Sequence, residues 1–303
     1  MACTAQGAEL TTVQILVTPD TVVGTHETLD DRWEIGSVSK VFNSMLLIDA
    51  IAQGQVTLTD ELRTWLPDAP PGVTLEQLAS HTSGLSRLPK NMNLRWLLSN
   101  AVDPYGPYGM DELSKGLRKA KPRDNDYAYS NFGAGALGAA LTVASGREWS
   151  ELLAERIAAP LGLTHTDTSD TDLRQGHTAQ GADAAPWHWT SALAGAGAVR
   201  STPQDLVTFT RWWMDPAEPW TEMLAPRADA GGGMQVGLGW HLKTVDGVDW
   251  MWHNGAVGGF SSFVAVDPAG DRAVIVLTDG LVPNDTTATG FARMGDFSLP
   301  DTP

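Results

Sequence analysis

The chain has 303 residues, 42% of them apolar and 18% charged, enough for one large domain or two intimate lobes and too apolar for bulk disorder. A formal net charge of −16 argues against nucleic acid or an anionic membrane as the main partner, and solubility explains it more simply. The lone cysteine, Cys3, excludes an intrachain disulfide, and the seven histidines show no metal-ligand spacing such as HExxH, so no metal or cofactor is expected.

TTVQILVT (11–18) and RWEI (32–35) read as short strands, with PDTVVG supplying a turn and another strand between them. From Val38 the period changes. Val41, Met45 and Ile48 recur at helical spacing, as do Phe42 and Leu46, and Gly54 is the expected stop. Thr74 opens a short helix with a T-x-x-Q capping box. Residues 86–125 read as irregular. NFGAGALGAALTVASG (131–146) reads as a tightly packed helix of small residues, and 146–162 contains another, with Pro160 as its expected stop. Residues 164–190 are polar and loop-like, closing on the aromatic run Trp187-His188-Trp189. Thr202 caps a helix that has Pro203 at its first position.

The Gly-rich segment GGGMQVGLG (231–239) matches neither a phosphate loop nor a dinucleotide fingerprint, and reads as a turn leading into a strand. VDWMWH, SSFVAV and RAVIVLTD then make a late β region, with a type I turn at DPAG. Strands, then helices, then strands predict an α+β architecture: an antiparallel sheet lobe (about 8–60 and 196–285) with an all-helical lobe (about 61–195) inserted in it, in one domain over 1–303. The first residues lack the basic and apolar regions of a signal peptide, which predicts a cytoplasmic protein unless the start is truncated.

Three short motifs carry chemistry. In IGSVSK (35–40), Ser37 precedes Lys40 by three positions, so on a helix their Cβ atoms lie about 5–6 Å apart. That is a nucleophile beside a base, or an ordinary helix start with a capping serine and a solvated lysine. DYAYSNFG (126–133) places Tyr129, Ser130 and Asn131 at the mouth of a helix; taken alone, a buried tyrosine with a capping asparagine reads better. WHNGAVGGF (252–260) runs His253, Asn254 and Gly255 into glycines, which either let another group approach the strand or form a bulge.

In that order, S-x-x-K, Y-x-N and H-x-G resemble serine hydrolases of the class C β-lactamase and penicillin-binding-protein type. LASHTSGL, AAPLGLTHT, GAGAVRSTPQDL and GLGW resemble the family too, so the likeness covers about residues 11–280. The resemblance implies a β-lactamase/transpeptidase-like fold with the active site between the lobes. It implies Ser37 as nucleophile and Tyr129 as general base, coupled to Lys40, which supports it and relays protons. It further implies that Asn131 holds Lys40 and contacts substrate, and that the backbone N–H groups of Ser37 and Ala256, beside Gly255, bind the oxyanion.

Position 253 is histidine where the β-lactamases have lysine. Histidine is mostly neutral near pH 7, so hydrolysis of small esters or amides ranks ahead of β-lactamase or DD-carboxypeptidase activity, with acyl transfer and a non-turning-over penicillin sensor as alternatives. The expected partner is a small-molecule substrate, without nucleic acid or membrane. Only 286–303 follows the last predicted strand, which leaves one sheet face partly bare and predicts a homodimer through it or an incomplete gene model. Trp187, His188 and Trp189 read first as plain packing and second as an apolar acyl-binding rim bordering the cleft, and His81 as a structural hydrogen-bonder.

Overall fold

The computed structural model describes residues 7–25 and 29–298. Cys3 lies outside them. In chain order the strands are β1 (Thr12–Val17), β2 (Val22–Gly24), β3 (Trp33–Glu34), β4 (Gly176–His177), β5 (Asp183–Ala184), β6 (Arg200–Ser201), β7 (Ala228–Gly231), β8 (Met234–Val236), β9 (His241–Val245), β10 (Val248–Val257), β11 (Phe260–Asp267) and β12 (Arg272–Thr278). Eight of them form one antiparallel sheet in the order β2-β1-β12-β11-β10-β9-β8-β7, so the first long strand lies against the last. β3 pairs with β6, and β4 with β5, as two small ribbons.

Side-chain alternation sorts the sheet into two faces. Val264, Val266, Ala273, Ile275 and Leu277 join the main core, while Phe263, Ala265, Val274 and Val276 join a second cluster on the other face. Both faces are buried, which is why these strands read as almost unbroken apolar runs.

The helices are α1 (Ser39–Ala52), α2 (Leu75–Ala79), α3 (Leu94–Ser99), α4 (Met110–Arg118), α5 (Asn131–Ser145), α6 (Trp149–Leu152), α7 (Ala159–Leu161), α8 (Pro203–Met214) and α9 (Pro283–Gly295). α1 is buried on nearly every side from Ser39 to Ile48, taking in Ser39, Lys40, Asn43 and Ser44 along with its apolar residues. Both predicted caps form: Thr74 accepts from Gln77 N, and Thr202 from Asp205 N.

The structure differs from expectation in three places. Residues 86–125 are not wholly irregular but hold α3 and α4. α4 escaped notice because Gly116 interrupts its short pattern, yet Leu113 and Leu117 bury one face while Asp111 and Glu112 open it and Lys115 and Arg118 close it. The helix after Glu148 passes Pro160 and ends at Gly162, φ +71°. A π-helical stretch, Leu153–Ala158, joins α6 to α7 and loosens the turn that the proline ring enters. The outer sheet face is not bare: α9 covers it, with Phe291 packed on Trp252 and Phe263, and Met294 in the same cluster. The premise for a dimer through that face is thereby removed.

Candidate active site

The chain enters α1 through a 3-10 turn, Gly36–Val38. Gly36 sits at φ +51°, and a Cβ there would lie 2.8 Å from Ala256 N. No side chain fits, so the turn can press directly on β10. Ser37 follows, half-exposed, with buried residues on either side. One turn on, Lys40 is buried, and its Nζ donates to Ser37 Oγ at 2.9 Å and to Ala196 O at 2.7 Å.

β10 completes this wall. Neighbouring residues of an antiparallel strand turn their N–H groups to opposite sides. Two-residue turns at Asp246–Gly247 and Gly258–Gly259 set the phase, so even-numbered residues of β10 face β9, which stops at His241 opposite Trp252. Ala256 therefore presents its backbone on an edge that β9 leaves open. A Cβ on Gly255 would sit 2.1 Å from Ile35 O and 2.9 Å from Ser37 N. Ser37 N and the 255–256 backbone are thus in close contact, the arrangement two oxyanion donors need.

Tyr129 stands over this pair. Lys40 Nζ is 4.9 Å from its ring centroid and Arg87 Cζ 5.1 Å. Burial pushes the phenol's pKa up, against the opposing pull of Ser37 and Arg87, while Tyr127 and Tyr105 add to the rise. Lys40 goes the other way: burial first, then the Arg87 charge, hold its pKa well below the ordinary lysine value.

Asn131 does not hold Lys40. It opens α5, and its Nδ2 donates to Tyr105 OH at 3.1 Å, while its Oδ1 is buried without a partner. The place expected for Asn131 at the lysine is taken by the Ala196 carbonyl, which sequence reasoning missed; a backbone acceptor leaves no side-chain signature. His253 is fully buried, with Nδ1–H donating to Asn254 O at 2.6 Å and Nε2 unpartnered. Burial, then His241 and Lys40, hold its pKa well below the usual histidine value. His81 Nδ1 accepts from Ser130 N at 3.2 Å, a structural bond.

His241 and Arg87 were also missed. His241 Nε2 bonds Tyr127 OH at 2.8 Å, its ring lies 5.1 Å from that of His253, and burial with Lys40 brings its pKa down to about 4. His241 directly follows GLGW in the sequence, but nothing local marks it as facing the site. On the other side, Tyr105 stacks on Trp189 at 4.1 Å and lies 5.3 Å from Trp187. Trp189 packs on Gly197, next to the lysine's acceptor, and Trp187 on Gly258 in the β10–β11 turn. His188 is exposed and bridges Asp103 and Asp170. No group of His, Cys, Asp and Glu among the described residues could hold a metal ion.

The beta-lactamase family model matches residues 8–297. The chain belongs to the beta-lactamase family. It is 29% identical over 301 residues to D-alanyl-D-alanine-carboxypeptidase/endopeptidase AmpH of Escherichia coli strain K12, covering 88% of this chain and 74% of that protein. Penicillin-binding protein 4 of Amycolatopsis lactamdurans is 28% identical over 295 residues, covering 85% and 74%. In fold, a class C beta lactamase from Rhodobacter sphaeroides matches with a TM-score of 0.78 at 20% identity, covering 95% of both chains. A D-stereospecific amidohydrolase from Streptomyces sp. matches with 0.76 at 21%, covering 96% and 94%. The protein is a beta-lactamase-family serine hydrolase, from a family acting on amides and esters. None of its described helices is long and apolar enough to cross a membrane.

Proposed function

We propose that the protein hydrolyses small esters or amides through an acyl-enzyme on Ser37. The observation that carries this reading is the 2.9 Å contact between Lys40 Nζ and Ser37 Oγ, made beside the Ser37 and Ala256 N–H groups. Ser37 Oγ attacks the carbonyl carbon as its proton passes to the Lys40–Tyr129 pair. The oxyanion forms against the two N–H groups, and such a donor is worth about 10²–10³ in turnover. The pair then protonates the leaving alcohol or amine. Water repeats the sequence on the acyl-enzyme and frees Ser37.

Within the pair, Lys40 is the better free base. Its pKa is depressed and that of Tyr129 raised, so the amine gives up its proton first. This reverses the emphasis that the resemblance implies, while keeping both groups in one coupled unit. The rim of Tyr105, Trp187 and Trp189 offers an apolar seat for the acyl group. The neutral His253 favours esters and amides over penicillins, whose carboxylate a cation at that position would suit.

The test is release of p-nitrophenol from p-nitrophenyl butyrate by wild type and Ser37→Ala, with nitrocefin beside it. Sustained turnover that falls by about 10⁴-fold or more in Ser37→Ala is expected. Activity surviving in that variant would sink the reading, and efficient nitrocefin turnover would replace it with β-lactamase activity.

A further inference from the structure

Next to Tyr129 a cavity of about 460 Å³ opens between the segments 84–90 and 120–129. Four of its lining residues are cationic, Arg87, Lys90, Lys121 and Arg123, against two carboxylates, Asp124 and Asp126. The whole chain has 20 Lys and Arg against 36 Asp and Glu, so this cavity inverts the charge of the molecule around it. Among the described residues none of the four cations is in an ion pair, whereas nine other arginines are. All four are exposed and within a ligand's reach.

The walls are fixed by backbone. Arg87 O accepts the N–H groups of Asn131 and Phe132 at 3.0 and 3.2 Å, which ties it to the start of α5. Arg123 N donates to Gly84 O at 3.1 Å, and Gly84, at φ +67°, has Arg123 O only 2.5 Å from where its Cβ would be. The two segments are tied together, which fixes the backbone positions from which the four side chains reach out.

Tyr129 belongs to this cavity and to the catalytic group alike. Strand β10 brings a neutral His253 to the site, so the permanent charge beside Tyr129 is Arg87, 5.1 Å from the ring centroid. A guanidinium offers a carboxylate two parallel N–H donors, which a lysine does not.

We propose that this cavity is an anion subsite in which Arg87, with Arg123 behind it and Lys90 and Lys121 adding to the field, holds a carboxylate on the substrate. The preferred substrates are then esters or amides that carry a negative charge on the acyl or the leaving part. The proposal rests on the hydrolase reading of Ser37 but can fail separately from it.

The experiment compares kcat/KM, with spontaneous hydrolysis subtracted, for pairs of similar reactivity: mono-p-nitrophenyl adipate against p-nitrophenyl butyrate for a charged acyl part, and 4-acetoxybenzoate against phenyl acetate for a charged leaving part. In at least one pair the anionic member is expected to be preferred by roughly tenfold to hundredfold. That ratio should fall toward one in Arg87→Ala, recover in part in Arg87→Lys, and shrink with added salt. Binding of the same esters to Ser37→Ala, read by calorimetry, tests the subsite even if wild type turns over neither. There too the anionic ester should bind more tightly, and the gap should close in Ser37→Ala/Arg87→Ala. Equal kinetics and equal binding, or a preference that persists without Arg87, would overturn the subsite and leave the hydrolase reading untouched.

Discussion

Every residue from Arg32 to Ile48 is buried except Ser37, whereas Arg87, Lys90, Lys121 and Arg123 are all exposed. The first set forms one wall of the cleft, where a helix start meets a central strand and glycines at 36 and 255 bring backbone against backbone. The second set forms the other wall, on chain held by a few backbone hydrogen bonds to α5 and to itself. The chemistry that must hold its geometry closely is built where the core allows no adjustment. The groups that choose a substrate stand where side chains can change without disturbing the core.

The comparison breaks first at Lys40, the buried cation of the rigid wall. Lys40→Met should lower kcat by about 10²–10⁴-fold, the range for losing a positioned acid–base group. It should also stabilise the protein. The folded-state pKa of Lys40 lies below its unfolded value, so folding releases a proton at pH values below the unfolded pKa. The stability of wild type therefore falls as pH drops from that value toward the folded one. Lys40→Met lacks this slope, and the gap between the two should widen from pH 9 to pH 6 in thermal melts. Parallel curves would mean that Lys40 keeps its charge in the fold.

The same division explains what the sequence made legible. Ser37, Lys40 and the strand through Gly255 announce themselves because helix period, strand alternation and short spacing are local signals. The eight-stranded order is legible less directly; β1 against β12 joins residues some 260 positions apart, and only apolar character on both strands hints at it. Arg87, His241 and Ala196 reach the site by tertiary placement alone. Arg87 sits in a stretch read as irregular, and Ala196 acts through a carbonyl that every residue possesses. Asn131 shows the converse. Its motif was read, yet the start of α5 turns its amide to Tyr105.

Gly255 tests the rigidity of the motif wall directly. In Gly255→Ala the new methyl would meet Ile35 O, Ser262 Oγ and Ser37 N, all within 2.9 Å. Overpacking of this kind costs about 1–3 kcal/mol. Displacing the oxyanion donors should cost on the order of 10² in kcat. Gly24→Ala is the control: on the edge strand β2 its Cβ would meet only ordinary contacts, Ile15 Cγ1 at 3.5 Å and Gln14 O at 3.6 Å, so both quantities should stay near wild type. If Gly255→Ala were equally silent, the close approach of α1 to β10 would not matter to the chemistry.

The smallest effect on activity is expected where the rigid wall hands over to the aromatic rim. Glu34 Oε1 accepts Trp187 N at 3.2 Å and Arg200 Nη2 at 3.3 Å, while Oε2 is buried without a partner. Burial raises the pKa of Glu34 to about 7, although Arg200 pulls it down. The folded value thus exceeds the unfolded one, so the stability this group contributes is fully present below the unfolded pKa and is lost as pH rises through about 7. Glu34→Gln keeps an acceptor for Trp187 N and cannot ionise. Its melts should therefore lose part of the wild-type decline between pH 5 and pH 8, an effect of no more than about 3 kcal/mol, with kcat/KM for neutral esters changed only a few-fold. A larger change in kcat/KM, confined to long acyl chains, would show that the seat made by Trp187 depends on the charge of Glu34 and not only on its hydrogen bond.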